Sequence, residues 1–103
     1  MALKVFKVKT RKKAIFELEE IYSFYLDVSQ DVLVAKKVVS RIRKSINNLK
    51  QMPKRHPLFS VEKSKELRKL VCGNFICTFT VDEEKAVVVV HHIYHGKRDY
   101  DHI

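Results

Sequence analysis

Apolar residues change their spacing along this chain, and each change marks an element. Residues 2–9 set Leu3, Val5, Phe6 and Val8 among lysines, which predicts a first strand with its lysines in solvent, as suits a sheet edge. Thr10 is placed to cap a following helix. In that helix Ile15, Leu18, Tyr22 and Tyr25 fall at helical spacing, Ile21 and Leu26 widen the stripe, and Glu17, Glu19 and Glu20 occupy the other face. A polar break over Asp27–Gln30, with Ser29 as cap, leads to a second helix whose seam is Ala35, Val38, Ile42, Ile46 and Leu49. Met52-Pro53 ends it, because proline cannot continue a helix and restricts the residue before it. So short a break folds the two helices back on each other as an antiparallel hairpin.

Beyond a loop over Pro53–Ser64 the period becomes two. Leu67–Cys72 reaches a Gly73-Asn74 turn, and Phe75, Cys77, Phe79 and Val81 then alternate with Ile76, Thr78 and Thr80. After a turn at Asp82–Lys85, Ala86–Tyr94 is a last, valine-rich strand. The predicted order is β-α-α-β-β-β, an α+β fold with an antiparallel sheet packed against an N-terminal helical hairpin. At 103 residues the chain has the size of a single domain, 1–103, with no repeat or linker.

Charge changes the picture. The chain carries 21 Lys+Arg against 12 Asp+Glu, a formal net charge of +9. From Val32 to Val61 there are eight basic residues (Lys36, Lys37, Arg41, Arg43, Lys44, Lys50, Lys54 and Arg55) and no acidic one, and Lys4–Lys13 carries six more. Such fields suit a polyanion, either nucleic acid or an acidic protein segment. Cys72 and Cys77 are five apart, which on one strand would put them on opposite faces, so they are read as buried thiols in a reducing compartment. No apolar stretch approaches ~20 residues and no signal-peptide pattern opens the chain, so a cytoplasmic protein without membrane contact is expected.

Candidate chemistry gathers at the end, where VVVVHHIYHGKRDYDHI (Val87–Ile103) passes from strand formers into histidine, tyrosine, lysine and arginine. The histidines His91, His92, His95 and His102 are not read as a metal site. Strand alternation points His91 and His92 to opposite faces, and no cysteine lies close in sequence. No cofactor is expected.

Four segments together resemble the RelE/ParE toxins of bacterial type II toxin–antitoxin modules. AIFELEEIYSFYL (Ala14–Leu26) is similar to that family's first helix, and INNLKQMPKRHP (Ile46–Pro57) to the proline-terminated end of its second. ELRKLVCGNFICTFTVDEEKAVVVV (Glu66–Val90) looks like its hairpin, and HHIYHGKRDY (His91–Tyr100) like a ParE-type ending. The resemblance implies a toxin of a plasmid-stabilisation module that inhibits growth, with a cognate acidic antitoxin as partner. It leaves open a homodimer or a toxin–antitoxin hetero-oligomer. ParE-like members poison DNA gyrase and need not be enzymes, whereas RelE-like members cut messenger RNA on the ribosome.

Metal-free RNA cleavage needs a base, an acid and cations, for which the chain offers His92 or His95, and the likeness of Gly96–Asp99 to a stretch of RelE implies Arg98 as the phosphate-stabilising residue. Target or nucleic-acid binding falls to Arg68, Lys69, Lys97, Arg98, Tyr100, Lys54 and Arg55. RelE-like nucleases carry an arginine just after the hairpin aromatic, while here Ile76 follows Phe75, and Tyr100 stands too near Arg98 to match their terminal tyrosine. The ParE-like reading therefore leads, the ribosome-dependent endonuclease follows, and a non-toxic basic nucleic-acid-binding domain stands third. Structural readings accompany the same residues: His95 as a hydrogen bond across the sheet, Arg98–Asp99 as a surface pair, Tyr22 and Tyr25 as core or antitoxin contacts.

Overall fold

The computed structural model describes residues 4–95. Leu3 of the expected first strand lies outside them, as do Lys97, Arg98, Asp99, Tyr100 and His102. The described elements run β1 (Lys7–Thr10), α1 (Lys12–Ser29), α2 (Val32–Asn47), β2 (Leu58–Glu62), β3 (Lys65–Cys72), β4 (Phe75–Asp82) and β5 (Val87–His95). The strands form one sheet in the order β1-β5-β4-β3-β2, and α1 and α2 pack over β5 and β3. The α+β class and the helical hairpin are as the sequence predicts. Two details differ: β2 is a strand inside the expected loop, and the sheet is mixed because edge strand β1 runs parallel to β5.

Both helices begin differently from the expectation, for local reasons. Thr10 stays in the β1 ladder opposite Val90, so Arg11 becomes the residue before α1 and supplies no side-chain cap. At the other end α1 runs on through Asp27–Ser29, so Ser29 is its last residue. The Ser29 hydroxyl donates to Tyr25 O at 2.6 Å and accepts the Asp31 N–H at 3.1 Å. Asp31 is the cap of α2, its carboxylate accepting the Leu33 N–H at 2.9 Å. The turn between the helices is Gln30–Asp31 alone, with Gln30 left-handed at φ 55°.

One core joins the layers: Ala14 and Leu18 of α1, Ile42 and Ile46 of α2, Leu49 beyond it, and Leu70, Phe75, Cys77, Phe79, Val88, Val90 and Ile93 from the sheet. The α2 seam is the predicted one. On α1 the buried stripe is rotated: Ala14 replaces Ile15, which is exposed, and Glu17 is drawn to its border. Cys72 and Cys77 both belong to this core as free thiols. Their expected opposite facing does not hold, because they sit on paired strands, where Cys72 opposes Phe75 and Cys77 opposes Leu70 on the helix-covered face. Burial, then the neighbouring Cys72 and Glu17, pushes the Cys77 thiol up to about 12.

Candidate functional site

A bulge in β5 builds the site. Thr78 pairs with His92 and the next residue, Phe79, pairs with Val90, so His91 has no partner on β4. An extra residue in one strand resets the alternation of faces beyond it. Val88 and Val90 therefore enter the core before the bulge, and Ile93 enters it after. The expected opposite facing of His91 and His92 is overturned. Both line one open recess of about 390 Å³, together with Arg11, Lys12 and Lys13 at the start of α1.

Two short networks hold this corner. His91 Nε2 lies 2.9 Å from Thr80 Oγ1, and its Nδ1 lies 3.4 Å from Arg11 Nη1. The arginine can only donate, so Nδ1 is the acceptor and Nε2–H donates to the threonine. Burial first, then the Arg11 guanidinium and lesser electrostatic contributions from its other neighbours, holds His91 below its ordinary value. The second network starts from the end of β1. Its pairing with β5 stops at Val90, and the Arg11 N–H takes Val90 O at 3.0 Å. Farther along that edge the Ile93 N–H donates to Glu17 Oε1 at 3.1 Å, and His92 Nδ1 lies 3.5 Å from the same oxygen. Glu17 thus satisfies strand backbone and orients an imidazole (a residue assigned beforehand to the solvent face). The signal was present: position 17 lies three after Ala14 and four before Ile21, on the core side of a helical net.

The residues expected to bind or catalyse do not converge on one place. His92 is at the recess. His95 instead sets its ring edge-on to Phe75, 5.2 Å between centroids, with a buried Nδ1 that lacks a hydrogen-bond partner among the described residues. Arg68 is only 14% exposed and donates to His56 O at 2.8 Å and Lys54 O at 3.2 Å, which pins the Pro53–Pro57 segment to β3. Lys69 points to the opposite face, across from Thr78. Lys54 pairs with Glu83 at 3.3 Å in an exposed contact, and Arg55 is exposed beside it. Burial, Arg55 and Arg68 together hold His56 low. Lys97, Arg98 and Tyr100 lie outside the described residues. Among those described, no three His, Cys, Asp or Glu side chains converge to hold a metal, and no helix is long and apolar enough to cross a membrane.

Against known proteins, residues 8–100 match the family model described as the ParE toxin of the type II toxin–antitoxin system, parDE. No curated protein sequence matches the chain significantly. Among solved structures, a chain of the chromosomal ParDE toxin–antitoxin system of P. aeruginosa superposes with a TM-score of 0.74 at 22% identity, covering 89% of this chain and 97% of that one. The archaeal RelE–RelB complex of Pyrococcus horikoshii OT3 is similar at a TM-score of 0.65 and 13% identity, over 91% and 98% of the two chains. The RelBE2 toxin–antitoxin complex of Mycobacterium tuberculosis follows at 0.59 and 14%, over 91% and 94%.

Proposed function

This chain belongs to the ParE toxin family of type II toxin–antitoxin systems, and from that membership we propose that it arrests growth by acting on DNA gyrase. The observation that carries the reading is the family match over residues 8–100, which takes in the hairpin and the chain's ending as well as both helices. Two features of the site favour gyrase over messenger RNA. Ile76, buried in β4, stands where the resemblance to RelE-like nucleases would require an arginine, and Arg68 is spent on two backbone carbonyls. A phosphoryl-transfer site missing its central cation loses several kcal/mol of transition-state stabilisation.

The partner we propose is an acidic antitoxin. The hairpin leaves Phe24, Val28, Val32 and Leu33 exposed around its turn, with Leu33 at 75%. Clustered exposed apolar residues of this size mark an interaction surface. The basic face of α2 would speed encounter with a chain of opposite charge.

A ribosome-dependent endonuclease is the second reading, and the His92–Glu17 pair is what favours it. A carboxylate 3.5 Å from Nδ1 fixes a ring that lines a basic recess, an arrangement suited to a general base. Pulse labelling after induction of the chain in bacteria separates the two. On the gyrase reading DNA synthesis stops first while protein synthesis continues, and co-expression of the antitoxin restores growth. Protein synthesis stopping first selects the nuclease, and undisturbed growth at verified expression removes both.

A further inference from the structure

The recess between the start of α1 and the β5 bulge has a composition that the gyrase reading does not explain. Three consecutive cations, Arg11, Lys12 and Lys13, face His91 and His92 across about 390 Å³, and among the described residues no carboxylate lines it. Glu17, the acid nearest His92, is engaged by the Ile93 N–H. The first turn of α1 contains no acidic residue and no side-chain cap. Like charges gathered in this way repel one another unless an anion joins them.

We propose that this recess binds a phosphodiester group of a nucleic-acid strand. Its free donors are the Arg11 guanidinium and the Lys12 and Lys13 ammonium groups, and a tetrahedral anion accepts from several directions where a planar carboxylate offers two oxygens in one plane. Arg11 is suited to such a group because the guanidinium is a rigid fork of donors, and His91 steadies one arm of it at 3.4 Å. Lys7 and Lys9, both exposed on β1, continue the cationic line away from the recess. That continuation suits a polymer of phosphates rather than a lone ion. The site is separate from Arg68, Lys54 and Arg55, and the inference stands whichever cellular target the toxin has.

Anisotropy of a short fluorescent single-stranded oligonucleotide with the whole protein tests it. Arg11→Gln/Lys12→Gln/Lys13→Gln should weaken binding at least about tenfold and flatten the log–log salt dependence by about 2. Lys36→Gln/Lys37→Gln/Arg41→Gln, which removes the same charge from α2, should change affinity less than about twofold. Lys12→Gln/Lys13→Gln leaves the Arg11–His91 contact intact and should still weaken binding several-fold, which guards against a misfolded triple variant. Glu17→Gln should tighten binding about threefold, since it removes a neighbouring negative charge while keeping an acceptor for Ile93. Equal losses in the two triple variants would reduce the effect to net charge and overturn the site. Competition by polyglutamate as strong as by the oligonucleotide would make it an acidic-protein surface, and full competition by dilute inorganic phosphate a free-phosphate site; either result overturns the proposal.

Discussion

Glu17 and His91 are the residues on which the corner of the sheet depends. Glu17→Ala leaves the Ile93 N–H without its acceptor where β1 no longer covers β5, and should cost about 1–3 kcal/mol in denaturant unfolding. Glu17→Gln should cost clearly less, because its amide oxygen still accepts; equal costs would mean that the hydrogen bond is not what stabilises. His91 and His56 bear on acid stability. Each is held below the ordinary 6.5 in the folded state, chiefly by burial, so the folded protein binds fewer protons than the unfolded chain as pH falls. Their contribution is complete above that ordinary value and is lost as pH drops through the lower folded values. The thermal midpoint should therefore fall on acidification from neutral pH, and His56→Gln/His91→Gln should flatten the decline. An unchanged slope in that double variant would contradict the assignment. At Cys77, a thiol pushed up to about 12 inside the core should resist alkylation in native protein at neutral pH and react only after unfolding.

At the scale of elements, the hairpins carry strain that can be removed. The two-residue loop joining β2 to β3 holds Lys63 and Ser64 at φ 48° and 67°, both left-handed, a geometry that favours Asn-Gly. Lys63→Asn/Ser64→Gly should raise stability by about 1–2 kcal/mol in urea unfolding. A loss of stability would show that these side chains make contacts the strain supports. The same hairpin marks where the sequence ran out. The helices, the β3–β4 turn and the valine strand were legible because their apolar periods are long and unbroken. Leu58–Glu62 was not, since two prolines precede a short run whose Leu58, Phe59 and Val61 are exposed at a sheet edge and so follow no burial pattern. The bulge was hidden for a different reason: alternation assumes continuous pairing, and only the parity change from Val88 and Val90 to Ile93 betrays the extra residue. Facing errors at His91, His92 and the two cysteines share that origin, as each depends on which strand and register a residue joins. Glu17 departs from Glu19 and Glu20 because residues two and three apart on a helix need not share a face, and its spacing to Ala14 and Ile21 puts it at the edge of the core.

The whole molecule sets two surfaces apart: an apolar hairpin end suited to a partner chain, and a basic recess at the β1–α1 corner. At net charge +9 copies of the chain should repel one another at low salt, and the exposed Phe24, Val28, Val32 and Leu33 should drive self-association as salt is raised, a trend that light scattering checks. Its thermal midpoint should rise with concentration of an acidic antitoxin, by mass action on the folded state. Family membership makes this chain a toxin of a type II toxin–antitoxin system, and the proposed target decides the mechanism. The most direct measurement is supercoiling of relaxed plasmid by purified gyrase, with translating ribosomes assayed in parallel. Supercoiling should fall as the purified chain is added, while messenger RNA on the ribosomes stays whole. Undiminished supercoiling beside cut message would contradict gyrase as the target and pass the function to the His92–Glu17 corner.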